Sequence, residues 1–127
     1  MKFAGMLAEG TALLREDTLQ AMLTPEPWEL CNNAFSAIPI LRGCGFGLGM
    51  RVLVHPEDSI TGGAPGEFGW YGHAGSWFMC LRSRKLSAVF IAQRLPSVHA
   101  QTIPAFCRAV YEMQSRATQA PFSAASR

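Results

Sequence analysis

The sequence predicts an α+β domain, an antiparallel β-sheet with flanking helices. Three observations carry this. Helical periodicity lies at both ends of the chain, and short strand-like runs lie between. The runs Ser76–Arg82 and Leu86–Gln93 are separated only by the basic turn Ser83-Arg84-Lys85, which suits an antiparallel hairpin. Trp77, Met79 and Leu81 alternate with Phe78, Cys80 and Arg82, so both faces of this strand carry apolar groups. A sheet of that kind needs cover on both sides, and the helices of residues 2–23 are the candidates for the second layer.

In chain order, Lys2–Glu9 reads as the end of a helix with Phe3, Met6 and Leu7 on one face and Gly10 as its stop. A second helix is expected over Glu16–Leu23. Glu16 and Asp17 suit its first turn through the helix dipole, and Leu19, Met22 and Leu23 form its apolar face. Pro25 and Pro27 end it. Thr24–Leu41 reads as loop. Strands are expected across 45–93. The first has glycine at every second position, Gly45, Gly47 and Gly49, which bares one face for something bulky or another backbone. Pro56–Gly66 is rich in turn residues, and Phe68–Tyr71 is a further strand. A final helix is expected over 103–116, with Ile103, Phe106, Val110 and Met113 as its buried stripe and Pro104 in its first turn. From Thr118 the chain turns small and polar and reads as a frayed tail.

The bulk properties bound the function. A chain of 127 residues fits one domain, and 49% hydrophobic with 16% charged residues is a globular composition. The net charge of +2 is scattered, with only Arg82, Arg84 and Lys85 clustered, so no nucleic-acid partner is expected. No run is long enough for a membrane span, and the first residues do not form a signal peptide, which together predict a cytoplasmic protein. Cys31, Cys44, Cys80 and Cys107 form no C-x-x-C pair and read as reduced, buried thiols. His55, His99, Cys44 and Cys80 match no zinc-site spacing, so neither a metal nor a cofactor is expected.

Several segments, in order, resemble the β-lactamase-related serine hydrolases, which include class C β-lactamases, esterases and penicillin-binding-type peptidases. They are Lys2-Phe3-Ala4-Gly5-Met6-Leu7-Ala8-Glu9-Gly10 with Leu13-Leu14 and Thr18-Leu19-Gln20-Ala21-Met22, then Gly45-Phe46-Gly47-Leu48-Gly49. Gly66-Glu67-Phe68-Gly69-Trp70-Tyr71-Gly72-His73-Ala74-Gly75-Ser76 follows, then Val89-Phe90-Ile91-Ala92-Gln93-Arg94-Leu95-Pro96 and the last helix. The resemblance covers nearly the whole chain and implies that residues 1–127 are the C-terminal part of a β-lactamase/transpeptidase-like domain.

In that family, acyl transfer runs through the serine of a Ser-x-x-Lys motif, with a Tyr-x-Asn motif beside it. Lys2 and Lys85 are the only lysines, and neither follows a serine by three; Tyr71 and Tyr111 are followed two later by His73 and Met113. Both motifs are therefore missing, and the chain alone is expected to be inactive. The third motif, Lys-Thr-Gly in many members, aligns with Trp70-Tyr71-Gly72. The resemblance then implies that the backbone N–H of His73 is an oxyanion donor. Tyr71 departs from the usual small middle residue. A second register uses His73-Ala74-Gly75 with Ser76 donating.

The resemblance implies a parent that acts on a small ester or amide. Trp70 in place of lysine favours esters, because a lysine would offer charge to a substrate carboxylate. Open sheet edges are expected to drive self-association. The alternative is a free-standing, non-catalytic α+β module that binds a partner through its bared strand or a sheet edge. A small enzyme of unrelated chemistry is the weakest reading, since acid, base and nucleophile do not cluster.

Overall fold

The computed structural model describes residues 2–9, 14–25 and 37–119. The chain begins with two helices, α1 (Lys2–Glu9) and α2 (Glu16–Leu23). Five strands follow: β1 (Cys44–Phe46), β2 (Arg51–Leu53), β3 (Phe68–Tyr71), β4 (Trp77–Leu81) and β5 (Leu86–Phe90). A long helix, α3 (His99–Gln119), closes the described chain. The strands lie in chain order in one sheet, and every neighbouring pair is antiparallel. Short links allow no other arrangement for β1–β2, β3–β4 and β4–β5, since a parallel pair needs a crossover of a dozen residues or more.

The glycine-rich stretch is not one strand. It folds back at Gly47–Met50 into the β1–β2 hairpin, where the Gly47 N–H donates to the Met50 carbonyl at 2.8 Å. Gly49 makes the reversal possible with φ +84°, a conformation that favours glycine. The bared positions do meet a close neighbour. A Cβ at Gly45 would collide with the Pro25 ring, and one at Gly47 with the Met22 carbonyl. That carbonyl accepts the Leu48 N–H at 3.0 Å, so the end of α2 lies directly on this hairpin.

Both faces of the sheet are covered, as the alternation in β4 requires. On one side Ala4, Leu7, Ala8 and Leu19 from α1 and α2 close over Met50, Val52, Phe68 and Cys80. On the other, Ile103 and Cys107 of α3 close over Trp77, Met79, Ile40 and Leu41. The layers are thus helix, sheet, helix. Part of the expected loop contributes to this core, because Pro39–Leu41 form a 3-10 turn with Ile40 and Leu41 buried.

Two helical stripes differ from expectation. In α1 the buried face is Ala4, Leu7 and Ala8, while Phe3 is 52% exposed. The methyl-sized residues let the helix backbone approach the sheet closely enough for the Cys80 thiol to donate to the Ala4 carbonyl at 3.4 Å. In α3 the buried residues are Ile103 and Cys107, flanked by Phe106, Val110 and Tyr111, and Met113 is 70% exposed. The helix also begins four residues before the expected start and includes Thr118, so Pro104 sits inside it rather than in its first turn. Gly10, Pro27, Cys31 and the residues after Gln119 lie outside the described residues.

Candidate active-site wall

Strand β3 ends at Tyr71, and the chain reverses over Gly72–Ser76 before β4. The Gly72 N–H donates to the Ser76 carbonyl at 2.8 Å, and the Gly75 N–H to the Gly72 carbonyl at 2.9 Å. His73 and Ala74 are therefore the central residues of a hydrogen-bonded turn. Gly75 has φ +102°, which explains a glycine there. A Cβ at Gly72 would stand 3.3 Å from the Ser76 Cβ, so the turn is also tight on its inner side.

Segments that follow β5 hold the same turn from outside. The Arg94 N–H donates to the Ala74 carbonyl at 2.9 Å. The Ser76 hydroxyl donates to the Ala92 carbonyl at 3.1 Å and accepts the Ala92 N–H at 3.4 Å. From the start of α3, His99 Nε2 meets the Gly72 carbonyl at 2.8 Å. His73 itself is exposed. Its N–H, like that of Ser76, donates to no acceptor among the described residues. The N–H groups of His73 and Ser76, one from each of the two sequence registers, thus both lie in this turn.

Tyr71 pairs with Trp77 across the β3–β4 ladder, and both belong to the cluster under α3. Its ring packs edge-on against His99, with centroids 5.1 Å apart. The bulky middle residue is thus absorbed under the helix. Trp70 is half-buried, with its ring 5.2 Å from Phe46 and 5.1 Å from Tyr71. A shallow apolar cleft of about 250 Å³ runs along Trp70, Gly72, Ser76, Phe78 and Phe90.

A second polar constellation lies behind the sheet, and the sequence reading did not single it out. Arg51 and Glu67 form an ion pair with both side chains fully buried. Tyr111 of α3 donates its hydroxyl to the other Glu67 oxygen at 2.5 Å. The Arg51 guanidinium lies 4.2 Å over the Trp77 ring and donates to the Cys44 sulfur at 3.6 Å. Burial works against the Arg51 charge, but Glu67 and Cys44 more than offset it and raise its pKa. Burial, then the Glu67 carboxylate, pushes the Tyr111 hydroxyl up. The available signal was an arginine inside a run of apolar strand residues. This cluster ties β2, the start of β3 and α3 together, and its groups face one another.

The remaining candidates are dispersed. His55 pairs with Glu57 at 2.9 Å, Cys44 lies by Arg51, and Cys80 faces α1. Among the described residues no three His, Cys, Asp or Glu side chains gather as metal ligands would. No helix among them is long and apolar enough to cross a membrane. A larger groove of about 410 Å³ lies between the Ile60–Gly62 segment and the outer face of α3. Its hydroxyls are occupied, Tyr111 by Glu67 and Ser115 by the Tyr111 carbonyl at 2.9 Å, which leaves the smaller cleft beside the turn as the better candidate.

A five-stranded antiparallel sheet between helices is the arrangement expected of part of a β-lactamase/transpeptidase-like fold. Comparison with solved structures bears this out. The chain is similar to simvastatin synthase (LovD) of Aspergillus terreus. The LovD6 mutant matches with a TM-score of 0.70 and 18% identity over 94% of this chain. The unliganded selenomethionyl protein matches with a TM-score of 0.67 and 21% identity over 95%. The chain spans about a third of the length of these structures, 34% and 33%. No family model and no curated protein matches the sequence.

Proposed function

We propose that this chain is the C-terminal part of a β-lactamase-like serine hydrolase or acyltransferase, and that it supplies one wall of the active site. The observation that carries this reading is the fold likeness over 94% of the chain to a β-lactamase-like acyltransferase. In the reading, the turn after β3 is the third catalytic motif, Trp70-Tyr71-Gly72, and His73 presents its backbone N–H to the oxygen that turns anionic when a serine attacks the acyl carbon. The serine and its activating lysine come from a segment other than residues 1–127, so this chain turns over nothing alone. The apolar Trp70 and the uncharged cleft favour a small ester over a substrate that carries a carboxylate.

Turnover tests the reading. The isolated chain is expected to leave nitrophenyl esters and a chromogenic cephalosporin at background rates. Expressed together with the coding sequence upstream of Met1, which is expected to encode Ser-x-x-Lys and Tyr-x-Asn, it is expected to hydrolyse the ester. In that joined protein His73→Pro, which deletes the N–H, is expected to lower kcat about 10²- to 10³-fold. Turnover by the isolated chain that one substitution abolishes, or an upstream sequence without both motifs, refutes the reading.

The alternative, a free-standing binding module, is favoured by one observation: the chain covers both faces of its own sheet. The oligomeric state separates the two. The active-site wall of a larger enzyme is expected to self-associate through the β5 edge of the sheet, just beyond which Ile91 is 77% exposed. A monomer with a sharp cooperative melt supports the module instead.

A further inference from the structure

We infer that His99 is a positioning residue for the His73 N–H, acting through the Gly72–His73 peptide group that its ring holds. This deepens the active-site reading above and rests on it. The Gly72 carbonyl and the His73 N–H belong to one peptide unit. That unit is planar and trans, since the cis bond in the described chain is Leu95-Pro96. In a trans peptide the C=O and N–H point in opposite directions, so whatever grips the oxygen aims the hydrogen. The oxygen of Gly72 is gripped twice, by the Gly75 N–H at 2.9 Å and by His99 Nε2 at 2.8 Å. The first bond is internal to the turn. The second comes from α3, an element anchored in the core by Ile103 and Cys107, and it fixes the peptide relative to the rest of the fold.

The chemistry of the contact settles the His99 tautomer. A carbonyl oxygen only accepts, so Nε2 carries the hydrogen, and in the neutral ring Nδ1 then accepts from the Ser97 hydroxyl beside it. The same hydroxyl takes the His99 backbone N–H at 3.3 Å, and the imidazole rests edge-on against Tyr71. The ring is thus held on three sides. Its bond also polarises the amide, and such chains strengthen the donor at the far end by roughly 10–30% per bond. Tyr71, the large residue where a small one is usual, is the floor on which His99 stands.

Nuclear magnetic resonance on the full chain tests this with two variants. His99→Phe keeps a ring against Tyr71 and removes the donor, whereas His99→Gln restores a side-chain N–H at a similar reach. The wild-type imidazole nitrogen shifts are expected to show the Nε2–H tautomer. The backbone order parameter of the His73 amide is expected near the rigid value of about 0.85, to fall below about 0.6 in His99→Phe, and to recover in His99→Gln. The Cys107 and Ile103 amides report whether α3 remains docked, and they are expected not to change. An Nδ1–H tautomer overturns the inference, as does a His73 amide equally rigid in His99→Phe. These readouts do not depend on whether the His73 N–H ever meets an oxyanion. That question is decided by ester turnover and His73→Pro, so failure of the positioning role and failure of the active-site reading are distinguishable.

Discussion

Replacing Arg51 with methionine is the sharpest probe of what holds this fold together. Arg51 and Glu67 are both fully buried, and Tyr111 adds a hydrogen bond to the carboxylate. Methionine leaves the Glu67 charge in the interior with the Tyr111 hydroxyl as its remaining partner among these groups. Breaking a buried pair from one side costs about 3–5 kcal/mol, a large share of the roughly 5–15 kcal/mol that stabilises a typical domain. With a urea dependence of about 2 kcal/mol per molar, the unfolding midpoint is expected to fall by roughly 1.5–2.5 M. Tryptophan fluorescence follows the transition, and one of the three tryptophans, Trp77, lies 4.2 Å from the guanidinium. The double variant Arg51→Met/Glu67→Leu removes both charges and is expected to lie within about 1 kcal/mol of the parent. A loss under about 1 kcal/mol for Arg51→Met, or a double variant as costly as both single changes summed, refutes the argument.

Two further expectations follow from packing and titration. Burial raises the Cys80 thiol to about 11 and the Cys107 thiol to about 12, from 9.0. Both are uncharged in the fold where the unfolded chain would ionise, so their contribution is complete below about pH 9 and is lost as pH rises from about 9 toward 12. The melting temperature is expected to fall over that window, and a thiol-specific reagent at neutral pH is expected to label Cys44, Cys80 and Cys107 only after unfolding; prompt labelling of any of these three in the folded chain contradicts this. In α1, Ala4→Leu is expected to cost about 1–3 kcal/mol by overpacking, while Phe3→Ser stays within about 0.5 kcal/mol. Denaturation midpoints check the pair, and a reversed order means that the other face of α1 meets the sheet.

The elements were largely legible in the residues because their signals are local. The α2 boundaries, the strand Phe68–Tyr71 and the β4–β5 hairpin follow from prolines, turn residues and two-residue alternation acting over a few positions. The need for a helix layer on each face was also legible, since β4 carries apolar groups on both sides. What the sequence left open depended on distance between elements. Phe3 outranks Ala4 in hydrophobicity, yet close helix–sheet approach buries the smaller residue. Glycines 45, 47 and 49 alternate as a strand would, yet the positive φ at Gly49 turns the chain. For the site, Trp70, Tyr71, Gly72 and His73 stand together because they are contiguous, so sequence alone brought them forward. His99 and Tyr111 did not stand out, because nothing in 27 or 44 residues of separation announces a hydrogen bond. The tertiary structure decided those bonds by laying α3 across the sheet, where one end of the helix reaches the Gly72 carbonyl and its middle reaches the buried Glu67 carboxylate.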